Sequence, residues 1–202
     1  MNDIELERQQ KKELHTKLWK MANSLRGNMD ANEFKDYILG LIFFRYICEH
    51  EENEFEQRLH ISLEDMYNKN ASQGREVAIL NLGLGYFIEP KHLFKNLVKL
   101  IMTGEFELEH LSNAFKNYSD STKGQISEDQ LSGLFNDVNL TSDKLGKTYK
   151  EKGELIAKLI TAIDEINCPQ YMSWYPLPVI VQLFFFANSS IFLVNIGFEF
   201  SG

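Results

Sequence analysis

Apolar residues recur at three- and four-residue steps along most of the chain, a spacing that predicts amphipathic α-helices rather than strands. The stretch that begins at Ala31 is apolar almost all round, as in a helix buried at the centre of a domain. We therefore predict an all-α, multi-helix fold for residues 1–167, with at most a short strand pair near residues 86–88. The helices are expected over residues 5–25, from Ala31, after Ser62, up to Leu82, from Pro90 to Gly104, over residues 107–118, through Leu131 to Phe135, and from Thr141 or Ser142 to Ile163.

Side chains that commonly cap helices stand at several of these starts. Asp30 with Glu33, and Ser127 with Gln130, have the spacing of a capping box, in which each side chain bonds the backbone N–H of the other residue. Gly27 is placed to end the first helix, because glycine readily adopts the left-handed conformation found at helix ends. These signals divide the chain into short helices joined by turns.

Two polar stretches are predicted to lie outside the core. The segment EHEENEFEQ, residues 49–57, is expected to be a solvated, charged continuation of the central helix, and residues 70–74 are expected to be a loop. The last helix, by contrast, should direct a set of apolar side chains inward. These are Leu145, Tyr149, Ile156, Leu159, Ile160 and Ile163.

Composition and charge are those of an ordinary globular protein, with 44% apolar and 25% charged residues. The formal net charge of −8 repels polyphosphate overall, so tight DNA binding by this chain alone would need basic residues clustered on one face. Cys48 and Cys168 lack the spacing of metal ligands. We interpret them as reduced, structural thiols of a cytoplasmic protein.

Patterns that carry catalysis or cofactor binding are missing. The sequence contains neither a Gly-x-Gly-x-x-Gly loop nor a Walker Gly-Lys-Ser/Thr motif. His50 stands among Glu49, Glu51 and Glu52, but consecutive residues of a helix point to different sides, so a solvated face is the better interpretation than a metal site. We predict no catalytic, cofactor-binding or metal-ligating residues and no small-molecule substrate.

Three blocks in the chain, in the same order, carry a resemblance to a known family. They are "LHTKLWKMANSLRGNMDANEFKDYILGLIFFRYICEH", "GYFIEPKHLF" and "LSGLFNDVNLTSDKLG". Over residues 12–166 the chain resembles the N-terminal helical domain of the modification (methyltransferase) subunit of type I restriction–modification systems.

The resemblance implies a role inside a larger enzyme. The full subunit of this family transfers a methyl group from S-adenosylmethionine to adenine N6, and it must take the base out of the duplex to do so. Its implied partners are a specificity subunit, a restriction subunit, a second modification subunit and double-stranded DNA. The helical domain is implied to clamp DNA and to contact neighbouring subunits.

The base-holding motif of that family is absent from this chain. The motif, Asn-Pro-Pro-Phe/Tyr, requires two adjacent prolines, whereas the four prolines here are separated: Pro90, Pro169, Pro176 and Pro178. The chain alone is therefore predicted to bind no cofactor and to transfer no methyl group. S-adenosylmethionine is implied only for the full-length family member.

The segment Arg-Gly-Asn-Met-Asp, residues 26–30, has two interpretations. As a turn, it ends one helix and starts the next, with Met29 packed near Phe34. That leaves Arg26 and Asn28 unexplained, and arginine is well suited to grip phosphate or carboxylate groups. We predict that Arg26 and Asn28 also contact DNA or a neighbouring subunit.

Residues 168–202 form an apolar segment unlike the preceding domain, with Glu199 as its single charged residue. We expect this tail to follow a frameshift or truncation of the gene; a genuine buried terminal segment and a membrane anchor over residues 177–198 are the alternatives. Two rival functions stay open. The chain could be a free-standing helical regulator that binds the specificity subunit, or a membrane-tethered helical protein.

Overall fold

The computed structural model describes residues 29, 31–126, 128–131 and 133–165, and this part consists of helices joined by turns, with no β-strand. The all-α prediction is confirmed for these residues. The helix expected over residues 5–25 and the tail 168–202 lie outside them. The helices are α1 (Ala31–Leu59), α2 (Leu63–Lys69), α3 (Ala71–Glu76), α4 (Phe94–Thr103), α5 (Leu108–Thr122), α6 (Glu128–Leu131) and α7 (Tyr149–Asp164).

Helix α1 forms the centre of the domain, as its sequence predicts. It begins at Ala31 and runs for 29 residues, a length of about 44 Å. Helices α2, α4 and α7 all pack against it. Its fully buried side chains recur through most of its turns, from Leu41 through Phe44 and Ile47 to Phe55. Burial of this apolar surface is the main term that stabilises the fold.

An aromatic cluster joins α1 to α5 and to the segment after α6. The ring of Phe135 stacks on Phe115 with centroids 4.4 Å apart, and it meets Phe44 and Tyr118 edge-on at 5.5 and 5.2 Å. Offset-stacked and edge-on pairs are the favoured geometries of aromatic rings. Phe135 therefore fixes the non-helical segment after α6 to two helices at once.

The segment after α6 also lies directly on α1. A Cβ atom at Gly40 would collide with the side chain of Val138, so glycine at this position permits the close approach. One residue further on, the Tyr37 hydroxyl donates a 2.6 Å hydrogen bond to the Asn139 carbonyl. These contacts hold residues 138–139 against the first half of α1.

Several helix ends agree with the capping signals. Ser62 caps α2 by accepting a 3.0 Å hydrogen bond from the Asp65 N–H. Gly104 ends α4 in the left-handed conformation, with φ of 76°. Pro90 begins a short 3₁₀ turn, Pro90–His92, just before α4 rather than the first turn of α4 itself.

Other boundaries were predicted wrongly. Residues 70–74 are not a loop: Asn70 caps α3 through a 3.2 Å hydrogen bond from the Gln73 N–H, and a π-helical turn, Val77–Asn81, continues that helix. Helix α5 extends to Thr122, beyond the predicted end at residue 118, because Ser121 and Thr122 are buried against the core.

The start of the last helix is also corrected. Neither Thr141 nor Ser142 caps α7; the cap is Thr148, whose hydroxyl accepts from the Glu151 N–H at 3.2 Å. Tyr149, predicted to point inward, is 56% exposed because it stands at the first position of the helix, before the buried stripe begins. The rest of the predicted inward set is buried: Leu145, Ile156, Leu159, Ile160 and Ile163.

Candidate assembly and nucleic-acid interface

The residues that the sequence marks as candidate contacts and caps lie largely outside the described part of the chain. The structure describes the backbone of Glu33 in α1 and of Gln130 in α6, but not their side chains. The candidates that lie wholly outside are Arg26, Asn28, Asp30 and Ser127. Both predicted capping boxes and the proposed Arg26/Asn28 contact remain predictions.

Met29 is the one residue of the Arg-Gly-Asn-Met-Asp segment that the structure describes. Its side chain is only 2% exposed, and Phe34, one turn into α1, is buried to the same degree. Both belong to the same core cluster, in agreement with a hydrophobic contact across the start of the helix. Met29 is thus packed into the core close to the start of α1.

The acidic stretch of α1 is not the solvated face that its composition predicts. Glu51 is 0% exposed, and both of its carboxylate oxygens accept from the Ile88 N–H, at 3.2 and 3.1 Å. Glu49 and Glu52 are partly buried and form ion pairs with Arg45 and Lys95. The stretch is therefore packed against the following segments of the chain, which its own sequence does not reveal.

Glu51 is one of several side chains that hold an extended segment, residues 84–89, inside the domain. The N–H of Phe87 donates to the Ser121 hydroxyl at 2.9 Å, and the N–H of Glu89 donates to the Asn117 side chain at 3.0 Å. Buried backbone groups are costly unless they are bonded, and here side chains of α1 and α5 supply the acceptors that a neighbouring strand would otherwise provide.

The same segment is anchored by a buried tyrosine. The Tyr86 hydroxyl donates to the Ile47 carbonyl at 3.0 Å, and the Tyr86 ring lies 5.5 Å from that of Tyr118. Gly83 and Gly85 precede it with positive φ values of 69° and 75°, which let the chain turn from the π-helical turn into the core. The glycines of "GLGYF" therefore shape a turn.

Burial governs the ionisation of this interior cluster. Desolvation raises the pKa of the Glu51 carboxyl well above its ordinary value of 4.5, although the bond from the Ile88 N–H opposes the shift. Desolvation likewise raises the pKa of the Cys48 thiol, against the 3.3 Å bond from the Phe94 N–H. A buried, protonated thiol is a poor nucleophile, so Cys48 acts as a structural residue.

His50 takes part in packing. Its ring stacks on Tyr46 with centroids 5.8 Å apart, and burial lowers the pKa of its imidazole. In the part of the chain that the structure describes, no three histidine, cysteine or acidic side chains are grouped so that they could hold a metal ion. Within the same residues, no helix has both the length and the apolar composition needed to cross a membrane.

Two arginines, Arg45 and Arg58, donate hydrogen bonds to backbone carbonyl groups near the ends of helices. The sequence alone does not single them out for this role. Arg45 donates to the Ile163 carbonyl at 2.7 Å, near the end of α7, while its Nε pairs with Glu49. Arg58 donates at 3.0 Å to the carbonyl of Leu82, just past the π-helical turn. Cations near helix C-termini are favourable, but the partner helix of each arginine is distant in sequence and could not be read from it.

The segment before α7 and the first turn of that helix present a polar surface, and its contacts are between residues close in sequence. Lys152 donates to the Thr141 carbonyl at 2.6 Å and pairs with Asp143 at 3.0 Å. The Glu151 carboxylate accepts from the N–H groups of Lys147 and Thr148, at 2.7 and 3.3 Å. Asp143 and Glu151 thus both bond to groups within this stretch of the chain.

Comparison with known proteins agrees with this fold. The family model of the HsdM N-terminal domain matches residues 14–163. A curated relative, the type I restriction enzyme MpnII methylase subunit of Mycoplasma pneumoniae, is 28% identical over 174 residues, which are 81% of this chain and 32% of the relative. A crystal structure of the type I restriction-modification system methyltransferase subunit from Streptococcus thermophilus matches with a TM-score of 0.64 and 25% identity, over 78% of this chain and 34% of that one. The chain therefore spans about a third of the length of these relatives.

Proposed function

Because the chain belongs to the family of HsdM N-terminal domains, we propose that it serves as the subunit-assembly and DNA-clamping domain of a type I N6-adenine methyltransferase. The observation that carries this proposal is the family match across residues 14–163, which includes all three blocks on which the resemblance rests. Membership of this family implies a multi-subunit complex. The domain would act by binding and positioning, since transfer of the methyl group belongs to the rest of the full-length subunit.

The proposed partners are the specificity subunit, the second modification subunit, the restriction subunit and the duplex DNA that they enclose. The packing of the domain suits this role. Segment 84–89 is tied to α1 and α5 by buried hydrogen bonds, and the segment after α6 is tied to α5 by stacked rings, which favours a preformed surface. Preorganised surfaces bind with a smaller loss of conformational entropy.

Arg26 is the first residue to test. We expect Arg26→Ala, placed in the complete modification subunit, to weaken DNA binding by the assembled complex while its stability changes by no more than about 0.5 kcal/mol. Arg75→Ala is the matched control, because Arg75 is an exposed arginine of α3. Sedimentation measures assembly, and fluorescence anisotropy measures DNA affinity. Normal DNA affinity together with a large fall in Tm would show that Arg26 is structural.

We also expect this chain by itself to bind no S-adenosylmethionine, because its sequence carries neither a glycine-rich cofactor loop nor adjacent prolines. Isothermal calorimetry with the purified chain tests the expectation. Stoichiometric binding at micromolar affinity contradicts it, and would place a cofactor site in a helical domain.

A further inference from the structure

The segment before α7, together with the first two residues of that helix, has an excess of cationic side chains in a chain that is acidic overall. We define residues 143–150 as the lysine loop; it contains Lys144, Lys147 and Lys150. Its own acid, Asp143, pairs with Lys152 at 3.0 Å, although the Asp143 side chain is itself 91% exposed. Lys147 is exposed and forms no ion pair with the described residues, and Lys150 meets Glu154 only at 4.0 Å, with the two side chains 87% and 57% exposed. A pair this open contributes little.

An aromatic side chain stands among these lysines. Tyr149 is 56% exposed and adjoins Lys150 at the start of α7, before the stripe of buried residues that begins at Ile156. Local contacts hold both ends of the loop: the Thr148–Glu151 capping box at one end and the Lys152 hydrogen bond to the Thr141 carbonyl near the other. The structure therefore presents two lysines and a tyrosine outward from a braced backbone.

We propose that the lysine loop contacts the phosphate backbone of duplex DNA in the assembled modification complex, with Lys147 and Lys150 at phosphates and Tyr149 against the sugar edge. This proposal rests on the proposed function of the domain and names one of its DNA contacts. Lysine is a usual partner of phosphate oxygens, whereas it is depleted in protein–protein interfaces, so the composition of the loop favours DNA over a neighbouring subunit.

The net charge of the chain explains why the lysine loop is expected to contact DNA only in the assembled complex. With a formal charge of −8, the chain as a whole repels DNA, and two lysines cannot offset that repulsion. In a complex that already holds DNA, the same lysines need only displace the counterions of nearby phosphates. The loop would therefore add affinity to binding that other parts of the complex establish.

The first test replaces both lysines in the complete modification complex. For each lost phosphate contact the slope of log affinity against log salt should become less steep by about 0.9, so Lys147→Ala with Lys150→Ala should reduce it by about 1.8. Between about 50 and 200 mM salt, the factor by which the variant binds DNA more weakly than the unmodified complex should therefore shrink about 12-fold. Lys158→Ala is the control, because Lys158 is exposed on the same helix, two turns beyond Lys150.

Replacement by arginine separates charge from folding. Lys147→Arg with Lys150→Arg should keep the unmodified affinity and slope, because arginine also binds phosphate. An unchanged slope and affinity in the alanine variant would overturn the proposal. If the alanine variant fails to assemble although its helix content is normal, the loop is a subunit interface, and the proposal is equally overturned.

A second test identifies the partner directly. A photoreactive benzophenone amino acid replaces Tyr149 in the complete complex, which is then irradiated with a labelled target duplex. Crosslinks to DNA support the proposal, and crosslinks only to a protein subunit, or none to DNA, contradict it. The proposed function fails separately, if deletion of the whole helical domain leaves subunit assembly and DNA affinity unchanged.

Discussion

Segment 84–89 and the lysine loop up to Thr148 are both irregular stretches next to helices, yet their backbone groups are satisfied in opposite ways. In segment 84–89 the acceptors are side chains of distant helices: Glu51 lies 37 residues from Ile88, and Ser121 lies 34 residues from Phe87. In the lysine loop the partners are three or four residues away, as Glu151 is from Thr148 and Lys147. The backbone hydrogen bonds of the first stretch are therefore tertiary, and those of the second are local.

This difference decides what each stretch can do. A segment that depends on remote acceptors is lost when the surrounding helices separate, so it reports on the integrity of the whole domain. A loop that is braced locally leaves its outward side chains available for a partner. We therefore expect substitutions around segment 84–89 to affect stability most, and substitutions in the lysine loop to affect binding.

The largest effect is expected at Glu51. Glu51→Ala removes the acceptor of the buried Ile88 N–H and leaves a gap in the core, which together should lower the free energy of unfolding by about 3 kcal/mol. Urea unfolding followed by circular dichroism measures the loss. Glu54→Ala is the control from the same helix, because Glu54 forms its 3.1 Å ion pair with an exposed arginine, Arg58. Equal losses in both variants would contradict the special role of Glu51.

Glu51→Gln sharpens this result through its pH dependence. Desolvation raises the pKa of the Glu51 carboxyl in the folded state above its ordinary value of 4.5. The protonated carboxyl therefore stabilises the fold fully below pH 4.5, and this contribution is lost as pH rises through the raised pKa. Glutamine does not titrate. The stability of the unmodified chain relative to Glu51→Gln should therefore fall as pH rises above 4.5. A difference that is constant with pH would show that the carboxyl titrates normally.

The next largest effect on stability is expected at Ser121, whose hydroxyl accepts a hydrogen bond from the Phe87 N–H. Ser121→Ala leaves that buried donor unpaired and should cost about 1.5 kcal/mol. Ser112→Ala is the matched control, since Ser112 is exposed on the same helix. Hydrogen exchange at the Phe87 amide gives a second measurement, because faster exchange should be confined to segment 84–89 if the bond is local in its effect. Unchanged stability and exchange would contradict this role.

The same contrast explains which parts of the fold the sequence could predict. The start of α1 at Ala31, the helix that follows Ser62 and the end at Gly104 depend on neighbouring residues, and all three were predicted correctly. The burial of Glu51 was not predicted, because EHEENEFEQ has the composition of a solvated helix and the acceptor role of Glu51 depends on the distant Ile88. A hydrogen bond between residues far apart in the chain leaves no local pattern in the sequence.

The candidate contacts show a similar division. The lysine loop begins within "LSGLFNDVNLTSDKLG", a block that carries the family resemblance and in which Thr141 and Ser142 are the predicted caps of the last helix. The true cap, Thr148 with Glu151, has the Thr-x-x-Glu pattern of a capping box and was available in the sequence. Recognising it would have placed Tyr149 at the first helical position, where exposure is common.

A smaller effect is expected at Thr148. Thr148→Ala removes the hydroxyl that accepts from the Glu151 N–H and should lower the free energy of unfolding by about 1 kcal/mol. Thr148→Ser keeps the hydroxyl and should restore most of this loss. Because the cap acts locally, hydrogen exchange should quicken in the first turn of α7 and not in segment 84–89. Faster exchange in both regions would show that the loop and the core segment are coupled.

The smallest effect on stability is expected at Tyr149, which distinguishes the exposed position in the structure from the inward position that the helical pattern predicted. Tyr149→Ala should change the free energy of unfolding by no more than about 0.5 kcal/mol, because the side chain is 56% exposed. Ile156→Ala, two turns further along the same helix at a fully buried position, should cost about 3 kcal/mol. Urea unfolding of the two variants measures both. A loss at Tyr149 close to that at Ile156 would mean that the tyrosine packs into the core and is not available to a partner.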